Sequence, residues 1–229
     1  MTLHTAPQES VATLQRRALL SGGTSHDAIY RSVADVLRAT SASGRIVDVG
    51  CGRGAMWPLV RTMFDSYLGI DGVRYDSFPR AVPLIRADLD GAIPLADASV
   101  DVALSVETIE HLENPRAFVR ELARITRGGG WVVVSTPNQL SAMSLMTLVT
   151  RQRFASFQDV HYPAHRSALL EVDLRRIAAE AGLEAIAVHY NLAGRMPLTA
   201  RHYPRVIARL SPRLFSDTVI VMARKPARP

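Results

Sequence analysis

Residues 46–54, with the sequence IVDVGCGRG, decide the fold of this chain. The stretch is apolar and partly β-branched up to Val49, three glycines follow, and an apolar pattern at helical spacing begins at Ala55. A strand, a glycine turn and a helix in this order bring the backbone of an open α/β sheet close to a nucleotide-like ligand. Glycine is needed in such a turn because a Cβ atom would clash with the ligand or forbid the backbone dihedrals. The stretch therefore predicts a nucleotide-binding α/β domain.

The glycine spacing alone leaves two cofactors open. Together with the alanine that follows, it satisfies the G-x-G-x-x-G/A pattern of dinucleotide-binding proteins, and NAD would then use the same glycines and place its ribose on Asp71. However, Asp48 two positions before the first glycine, the compact G-x-G-x-G and Asp71 after the next predicted strand together resemble the class I S-adenosylmethionine (SAM) dependent methyltransferases. The resemblance continues through Asp88 and the block 93–138, and it covers roughly residues 30–190.

Hydrophobic periodicity predicts seven strands that alternate with helices. The predicted strands are 45–49, 67–70, 83–87, 100–106, 131–135, 183–190 and 217–224. The predicted helices are 26–39, 55–64, 114–125 and 167–181, with a glycine turn at 128–130. This alternation implies a parallel sheet covered on both faces. The resemblance implies that the last strand runs antiparallel, so the predicted fold class is a Rossmann-like, doubly wound α/β sheet of seven strands.

Length and composition predict one domain in the cytoplasm. A chain of 229 residues can bury one full core. We assign residues 26–229 to a single methyltransferase domain and residues 1–25 to an N-terminal lead-in. The N-terminus lacks the basic and apolar segments of a signal peptide, and no apolar run approaches the roughly 18 residues that span a bilayer. The only cysteine is Cys51, which excludes an internal disulfide and fits a reducing compartment.

The resemblance assigns the SAM site to the ends of the predicted strands. Asp71 would accept hydrogen bonds from the ribose hydroxyls, and Asp88 would lie beside the adenine amino group with Leu89 as an apolar neighbour. Asp48 would orient the glycine turn or reach the methionine amino group through water. The expected cofactor-binding residues are Asp48, Gly50, Cys51, Gly52, Gly54, Asp71, Asp88, Leu89 and Ser105. The alternative is that Asp71 and Asp88 only form turns.

Three ionisable side chains follow the fourth predicted strand at helical spacing, namely Glu107, Glu110 and His111. If this segment is helical, all three project from one face, at the carboxyl end of the sheet where ligands bind in such folds. The E-x-x-E-H spacing resembles the small-RNA 3′-terminal 2′-O-methyltransferases and the ubiquinone-biosynthesis O-methyltransferases. In the first group the motif and a later histidine hold a divalent metal, and that histidine would be His161 or His165 here. Such ligands suit Mn, Fe or Zn, and the metal would lower the pKa of an acceptor hydroxyl.

Other interpretations of this motif stay open. His111 alone would serve as a general base for a hydroxyl acceptor. The two glutamates would simply favour the N-terminus of a helix. His161 and His165 would then be ordinary surface histidines in a polar loop.

Two further segments are set apart by composition. Residues 139–165, the lid segment, are rich in leucine, methionine and phenylalanine, and we expect them to cover the acceptor; core packing and membrane contact are the alternatives. Residues 191–215 form a basic insert, and residues 191–229 hold seven arginines and one lysine against one acid. The net charge of +6 therefore belongs to the insert and tail. This insert is either a solvated basic face or a surface for an acidic substrate, an anionic lipid or RNA.

From these features we expect a SAM-dependent methyltransferase that acts on a small molecule, at a hydroxyl oxygen. The alternative is a metal-dependent small-RNA 3′-terminal 2′-O-methyltransferase, which the small size of the chain and the short insert disfavour. A non-catalytic SAM-binding protein is a third interpretation, and the complete set of motif glycines and acids disfavours it. The N-P-P-Y type signature of DNA and protein amino-methylating enzymes is absent, and no DNA partner is expected. An acidic substrate and a homodimer are the partner states left open.

Overall fold

The computed structural model of the protein describes residues 20–227 and contains a seven-stranded sheet. The strands are β1 (Arg45–Val49), β2 (Ser66–Asp71), β3 (Leu84–Arg86), β4 (Val100–Val106), β5 (Thr126–Pro137), β6 (Glu184–Tyr190) and β7 (Thr218–Arg224). Their spatial order is β3-β2-β1-β4-β5-β7-β6. Every pairing is parallel except the two made by β7, which runs antiparallel to β5 and β6. The predicted fold class is therefore confirmed.

Six α-helices within the described residues accompany the sheet. They are α1 (Asp27–Ala39), α2 (Trp57–Val60), α3 (Pro115–Ile125), α4 (Ala142–Arg151), α5 (Glu171–Glu180) and α6 (Arg205–Leu210). Short 3₁₀ helices cover Ile109–His111, Ala155–Phe157 and Asp159–His161.

The ends of α3 follow directly from its sequence. The side chain of Asn114 accepts the backbone N–H of Ala117 at 3.0 Å, which caps the helix. Pro115 occupies the first turn, where a missing N–H costs nothing. Phe118 and Leu122 then lie on the buried face, against the sheet. This helix has the limits that the sequence predicts.

The core lies in two layers, one on each face of the sheet. Val47 and Val49 of β1 point toward the layer that includes α3 and α5. Ile46 points toward the opposite layer, which includes α1 and α2. Because side chains alternate along a strand, Asp48 points to the same face as Ile46. That face also carries Tyr67 of β2.

Several predicted elements differ from the structure in extent. The helix predicted at 167–181 begins only at Glu171, as α5, and the strand predicted at 131–135 is part of the longer β5. The helix predicted at 55–64 is reduced to α2, because the chain forms a 3₁₀-type turn after Val60. The N–H of Asp65 then donates to the Gly44 carbonyl at 2.8 Å, next to the start of β1. The turn predicted at 128–130 lies inside β5, as a bulge: Val100 pairs with Thr126 but Val102 pairs with Trp131.

Some expectations concern residues at the chain ends. Most of the predicted lead-in, residues 1–19, lies outside the described residues, as do residues 228–229. Across residues 20–227, no helix combines the length and the apolar character that crossing a bilayer requires.

Candidate active site

A cavity of about 350 Å³ opens at the carboxyl ends of the central strands. The predicted residues that line it are Gly50, Gly52, Asp71, Asp88, Leu89, Glu107, Glu110 and His111. Other predicted residues lie outside this lining, namely Asp48, Cys51, Gly54, Ser105 and His161. The structure therefore brings Asp71, Asp88 and the E-x-x-E-H motif to one cavity, but not Asp48.

The glycine turn is held by the acid at the end of β2. One carboxylate oxygen of Asp71 accepts the N–H of Gly52 at 2.8 Å, and the other accepts the N–H of Val73 at 3.1 Å. Each carboxylate oxygen has two lone pairs, so Asp71 keeps the capacity to accept ribose hydroxyls as well. Burial raises the pKa of Asp71, and the N–H donors oppose that rise.

Two of the glycines are required by close packing as well as by positive φ. Gly50 has a φ of +82°, and a Cβ there would collide with the side chain of Thr108. Gly52 has a φ of +51°, and a Cβ there would collide with the carbonyl of Gly23. The turn can approach its neighbours only as glycine.

Asp48 lies in β1, two residues before the first turn glycine, and does not line the cavity. It is almost completely buried, and the hydroxyl of Tyr67 donates to its carboxylate at 2.5 Å. Burial raises the pKa of Asp48 to about 7, although the Tyr67 hydrogen bond opposes the shift. Cys51 lies against Gly69 of β2, and burial raises the pKa of its thiol. The structure thus gives Cys51 a packing position, not that of a reactive thiolate.

Asp88 and Leu89 are the residues that the resemblance assigns to the adenine end of the SAM site. Asp88 and Leu89 both line the cavity, and one oxygen of Asp88 accepts the N–H of Asp90 at 3.0 Å. Ser105 is fully buried within β4, and its hydroxyl is the only buried side-chain polar atom among the described residues without a hydrogen-bond partner. Its position inside the sheet separates it from the cavity lining.

One wall of the cavity was missed at the level of sequence. Residues 20–26, which belong largely to the predicted lead-in, pass over the glycine turn and contribute Gly23, Ser25 and His26 to the lining. The carbonyl of Gly23 accepts the N–H of Arg53 at 2.8 Å, which fixes this segment to the turn. The run of small residues at 21–25 (SGGTS) is the signal that marks such a close-fitting segment.

The E-x-x-E-H motif does not form one helix. Glu107 has a φ of +49°, which interrupts the chain between β4 and the 3₁₀ helix that holds Glu110 and His111. The N–H of Glu107 donates to the Ser135 carbonyl at 3.1 Å, and the Ser135 hydroxyl donates to the Glu107 carboxyl at 3.2 Å. All three side chains still line one cavity, as a helix would have placed them. Here the positive φ of Glu107, and not a continuous helix, precedes the 3₁₀ helix.

Both glutamates carry strongly perturbed carboxyl groups. Burial raises the pKa of Glu110 to about 7, and the Thr136 hydroxyl donates to its carboxylate at 3.0 Å. Burial raises the pKa of Glu107 well above its usual value, and the nearby Glu110 charge raises it further. Burial and the proximity of the two charges therefore both disfavour full ionisation of this pair.

Two histidines lie beside Glu110 with defined tautomers. Nδ1 of His111 lies 2.8 Å from the Ala164 carbonyl, and Nδ1 of His165 lies 2.6 Å from the Ser156 carbonyl. Because a carbonyl oxygen only accepts, each Nδ1 carries the proton and Nε2 is the basic nitrogen of each neutral ring. The edge of one ring meets the face of the other, with the ring centroids 4.7 Å apart. Burial lowers the pKa of His165, which favours its neutral form.

The described residues include one group suited to a metal ion. One oxygen of Glu110 and one nitrogen each of His111 and His165 all lie within 4.8 Å of one another. Glu107 and His161 are outside this group. His161 instead stacks on His165, with ring centroids 5.4 Å apart. Of the two loop histidines considered from the sequence, the structure therefore brings His165 to the motif.

The lid segment reaches the cavity through its second half. Ser156, Ala164 and His165 line the cavity. In the first half, α4 buries Ser144 and Thr147, and its exposed side includes Val149, which is 83% exposed.

Comparison with known proteins adds independent findings. Residues 24–188 match a family model described as a methyltransferase domain. A probable SAM-dependent methyltransferase of Mycolicibacterium smegmatis is 30% identical over 206 residues, which cover 84% of this chain and 71% of that protein. A probable SAM-dependent methyltransferase of Mycobacterium tuberculosis is 35% identical over 125 residues, 51% of this chain, and the match spans only 42% of that protein.

Two more distant matches complete the comparison. A ubiquinone biosynthesis O-methyltransferase of Thiobacillus denitrificans is 26% identical over 157 residues, which cover 64% of this chain and 67% of that protein. The crystal structure of a SAM-dependent methyltransferase from Archaeoglobus fulgidus superposes with a TM-score of 0.62 at 19% identity, covering 84% of this chain and 93% of that chain. The second likeness reflects a shared fold.

Proposed function

Since this chain belongs to the SAM-dependent methyltransferase family, we propose that it transfers the methyl group of SAM to a hydroxyl oxygen of a small molecule. Membership of the family decides between the two cofactors considered from the sequence in favour of SAM. The residues that would hold it are those of the glycine turn, with Asp71, Asp88 and Leu89 beyond them. We expect the reaction to take place in the cytoplasm.

One observation carries the choice of a hydroxyl acceptor. Glu110, His111 and His165 converge within 4.8 Å on the wall of the same cavity that the glycine turn lines. A hydroxyl must lose its proton as it is methylated, and two imidazoles beside a carboxylate are suited to take that proton. The relative from Thiobacillus denitrificans, whose name describes an O-methyltransferase, supports the same choice.

The chemistry follows from where the proton goes. Bound SAM supplies an electrophilic methyl group on a sulfonium. His111 would accept the hydroxyl proton on Nε2 as the acceptor oxygen bonds to the methyl carbon and the carbon–sulfur bond breaks, which leaves S-adenosylhomocysteine (SAH). The Ala164 carbonyl holds the ring in the tautomer that this step needs. Glu110 would stabilise the imidazolium that forms, and positioning of the two reactants supplies much of the remaining acceleration.

A metal-assisted version of the same reaction is the second candidate. The donor set of one carboxylate and two imidazoles suits Mn, Fe or Zn. Both histidines donate Nδ1–H to backbone carbonyls, which is the arrangement that orients metal-binding histidines. A divalent ion held by Glu110, His111 and His165 would act as a Lewis acid on the acceptor oxygen. Only in this version do RNA 3′ ends belong in the substrate search.

A matched acceptor panel tests the proposal. The protein is incubated with methyl-labelled SAM and pairs of compounds that differ only in a hydroxyl or an amine, for example phenols and anilines, and SAH release and product mass are measured. We expect methylation of hydroxyl members, with the label on oxygen. Methylation of amine members alone would contradict the proposal.

A further inference from the structure

The basic insert carries an excess of positive charge that the proposed methyl transfer does not use. Residues 191–215 contain five arginines and no acidic residue. The first and last of these arginines have acidic partners elsewhere: Arg195 lies 3.7 Å from Asp217, and Arg213 lies 3.2 Å from Glu171.

Three arginines of the insert remain without such partners. They are exposed, and none forms an ion pair with another residue in the range 20–227; they are Arg201, Arg205 and Arg209. Arg205 and Arg209 are one helical turn apart on α6, so their guanidinium groups project from one side of it.

The same insert exposes aliphatic side chains. Val206 and Leu210, also one turn apart on α6, are 73% and 81% exposed. Leu198 lies at the tip of a hairpin, closed by the antiparallel bridge between Arg195 and His202, and is 92% exposed. Ala208 is fully buried and fixes α6 to the body of the protein, so the exposed side chains stand on an anchored element.

We propose that the basic insert, residues 191–215, binds the surface of an anionic lipid membrane. Leu198, Val206 and Leu210 enter the boundary between headgroups and acyl chains, and the three unpaired arginines contact lipid phosphates. An anionic membrane interface both buries apolar side chains and attracts arginine. A solvated surface does neither, and a purely electrostatic partner would not bury the aliphatic side chains. The contact is peripheral, in keeping with the absence of a membrane-crossing helix in the described part of the chain.

Two other occupants fit the insert less well. Single-stranded RNA is bound largely by stacking on exposed aromatic rings, and the exposed apolar residues here are aliphatic. The nearby ring of Tyr203 is only partly exposed and packs on Phe215, with centroids 4.5 Å apart. A second copy of the chain across a two-fold axis would bring the same arginines face to face, with no acid in the insert to neutralise them.

Vesicle co-sedimentation of the full chain tests this proposal without any methylation assay, so its failure is separate from failure of the proposed function. Sucrose-loaded vesicles of phosphatidylcholine and phosphatidylglycerol in equal amounts are compared with pure phosphatidylcholine. We expect at least tenfold tighter binding to the anionic vesicles, and weaker binding as salt is raised. The variants R201S/R205S/R209S and V206S/L210S should each lose at least tenfold in affinity.

A matched control removes the same charge elsewhere. The variant R61S/R120S/R176S loses three exposed arginines outside the insert and should bind anionic vesicles within twofold of the unmodified protein. Thermal unfolding and SAH binding show that each variant is folded. The proposal is overturned if anionic vesicles are not bound, if V206S/L210S binds as well as the unmodified protein, or if the control loses as much as the insert variants. It is equally overturned if only an RNA oligonucleotide binds, or if the insert mediates a dimer by light scattering instead.

Discussion

The carboxylate of Asp71 accepts the backbone N–H of Gly52 at 2.8 Å, so the acid that ends β2 holds the glycine turn that follows β1. The same carboxylate lines the cavity. A residue expected to bind the cofactor ribose therefore also shapes the glycine turn. Its replacement removes both contributions at once.

The first prediction concerns this double role. Asp71→Ala should weaken SAH binding at least tenfold, about 1.4 kcal/mol, because a ribose acceptor and a support of the turn are lost together. Isothermal titration with SAH measures the effect. Asp76→Ala removes an exposed acid from the following loop and serves as the control. An unchanged affinity in Asp71→Ala would remove this residue from the cofactor site.

The second prediction separates steric from conformational constraints on glycine. Gly52 and Gly182 both have positive φ, but only at Gly52 would a Cβ collide with a neighbour. Gly182→Ala should cost roughly 1 kcal/mol of stability, the penalty of the left-handed region, and leave SAH affinity unchanged. Gly52→Ala should cost more stability and abolish SAH binding. Equal effects in the two variants, by urea unfolding and titration, would show that close packing at Gly52 is unimportant.

The third prediction concerns pH. The pKa of Asp48 is raised from 3.8 to about 7 in the folded protein, so its contribution to stability is full at pH below about 4 and is lost as pH rises through 7. Asn at this position can still accept the Tyr67 hydroxyl but does not ionise. Between pH 5 and 8, the free energy of unfolding should therefore fall by roughly 3 kcal/mol less in Asp48→Asn than in the unmodified protein. Glu107 and Glu110 also have raised pKa values and leave a residual slope in both proteins. Parallel urea titrations check this, and identical pH dependence would refute it.

The fold could be predicted from the sequence because its signals are local. The limits of β1 and β4 follow from apolar runs, and those of α3 from Asn114 and Pro115. The short α2 and the early start of β5 could not be predicted, since both depend on bonds to distant strands. Asp65 bonds to Gly44, and Thr126 pairs with Val100 across a bulge.

The site was predicted in its residue types more than in its geometry. The spacing of Glu107, Glu110 and His111 predicted that the three side chains would project together from one helix. All three line the cavity, but Glu107 adopts a positive φ where a helix was expected. The sequence left open whether His161 or His165 lies beside the motif, because the fold of the lid segment determines their positions. The structure places His165 beside Glu110 and His111. The wall at residues 20–26 was missed because its contribution is mainly backbone, which carries little sequence signal.

The fourth prediction belongs to the metal-assisted candidate. Manganese titrated into the SAH-saturated protein should bind at micromolar concentration, and His165→Ala should abolish this binding because the ring is one of the three converging ligands. His161→Ala is the matched control, since His161 stacks on His165 but is outside the group. Loss of binding in both variants alike, or in neither, would contradict this ligand set. No binding to the unmodified protein would leave His111 as the base.

The most direct test of the account is a comparison of turnover and cofactor affinity in His111→Ala. With a hydroxyl acceptor from the panel, the account predicts at least a hundredfold lower turnover, with SAH affinity within twofold of the unmodified protein, because His111 acts on the acceptor and not on the cofactor. His189→Ala, an exposed histidine on β6, should change neither quantity. Retained turnover in His111→Ala, with the product methylated on oxygen, would contradict both the base and the metal versions of the proposed mechanism.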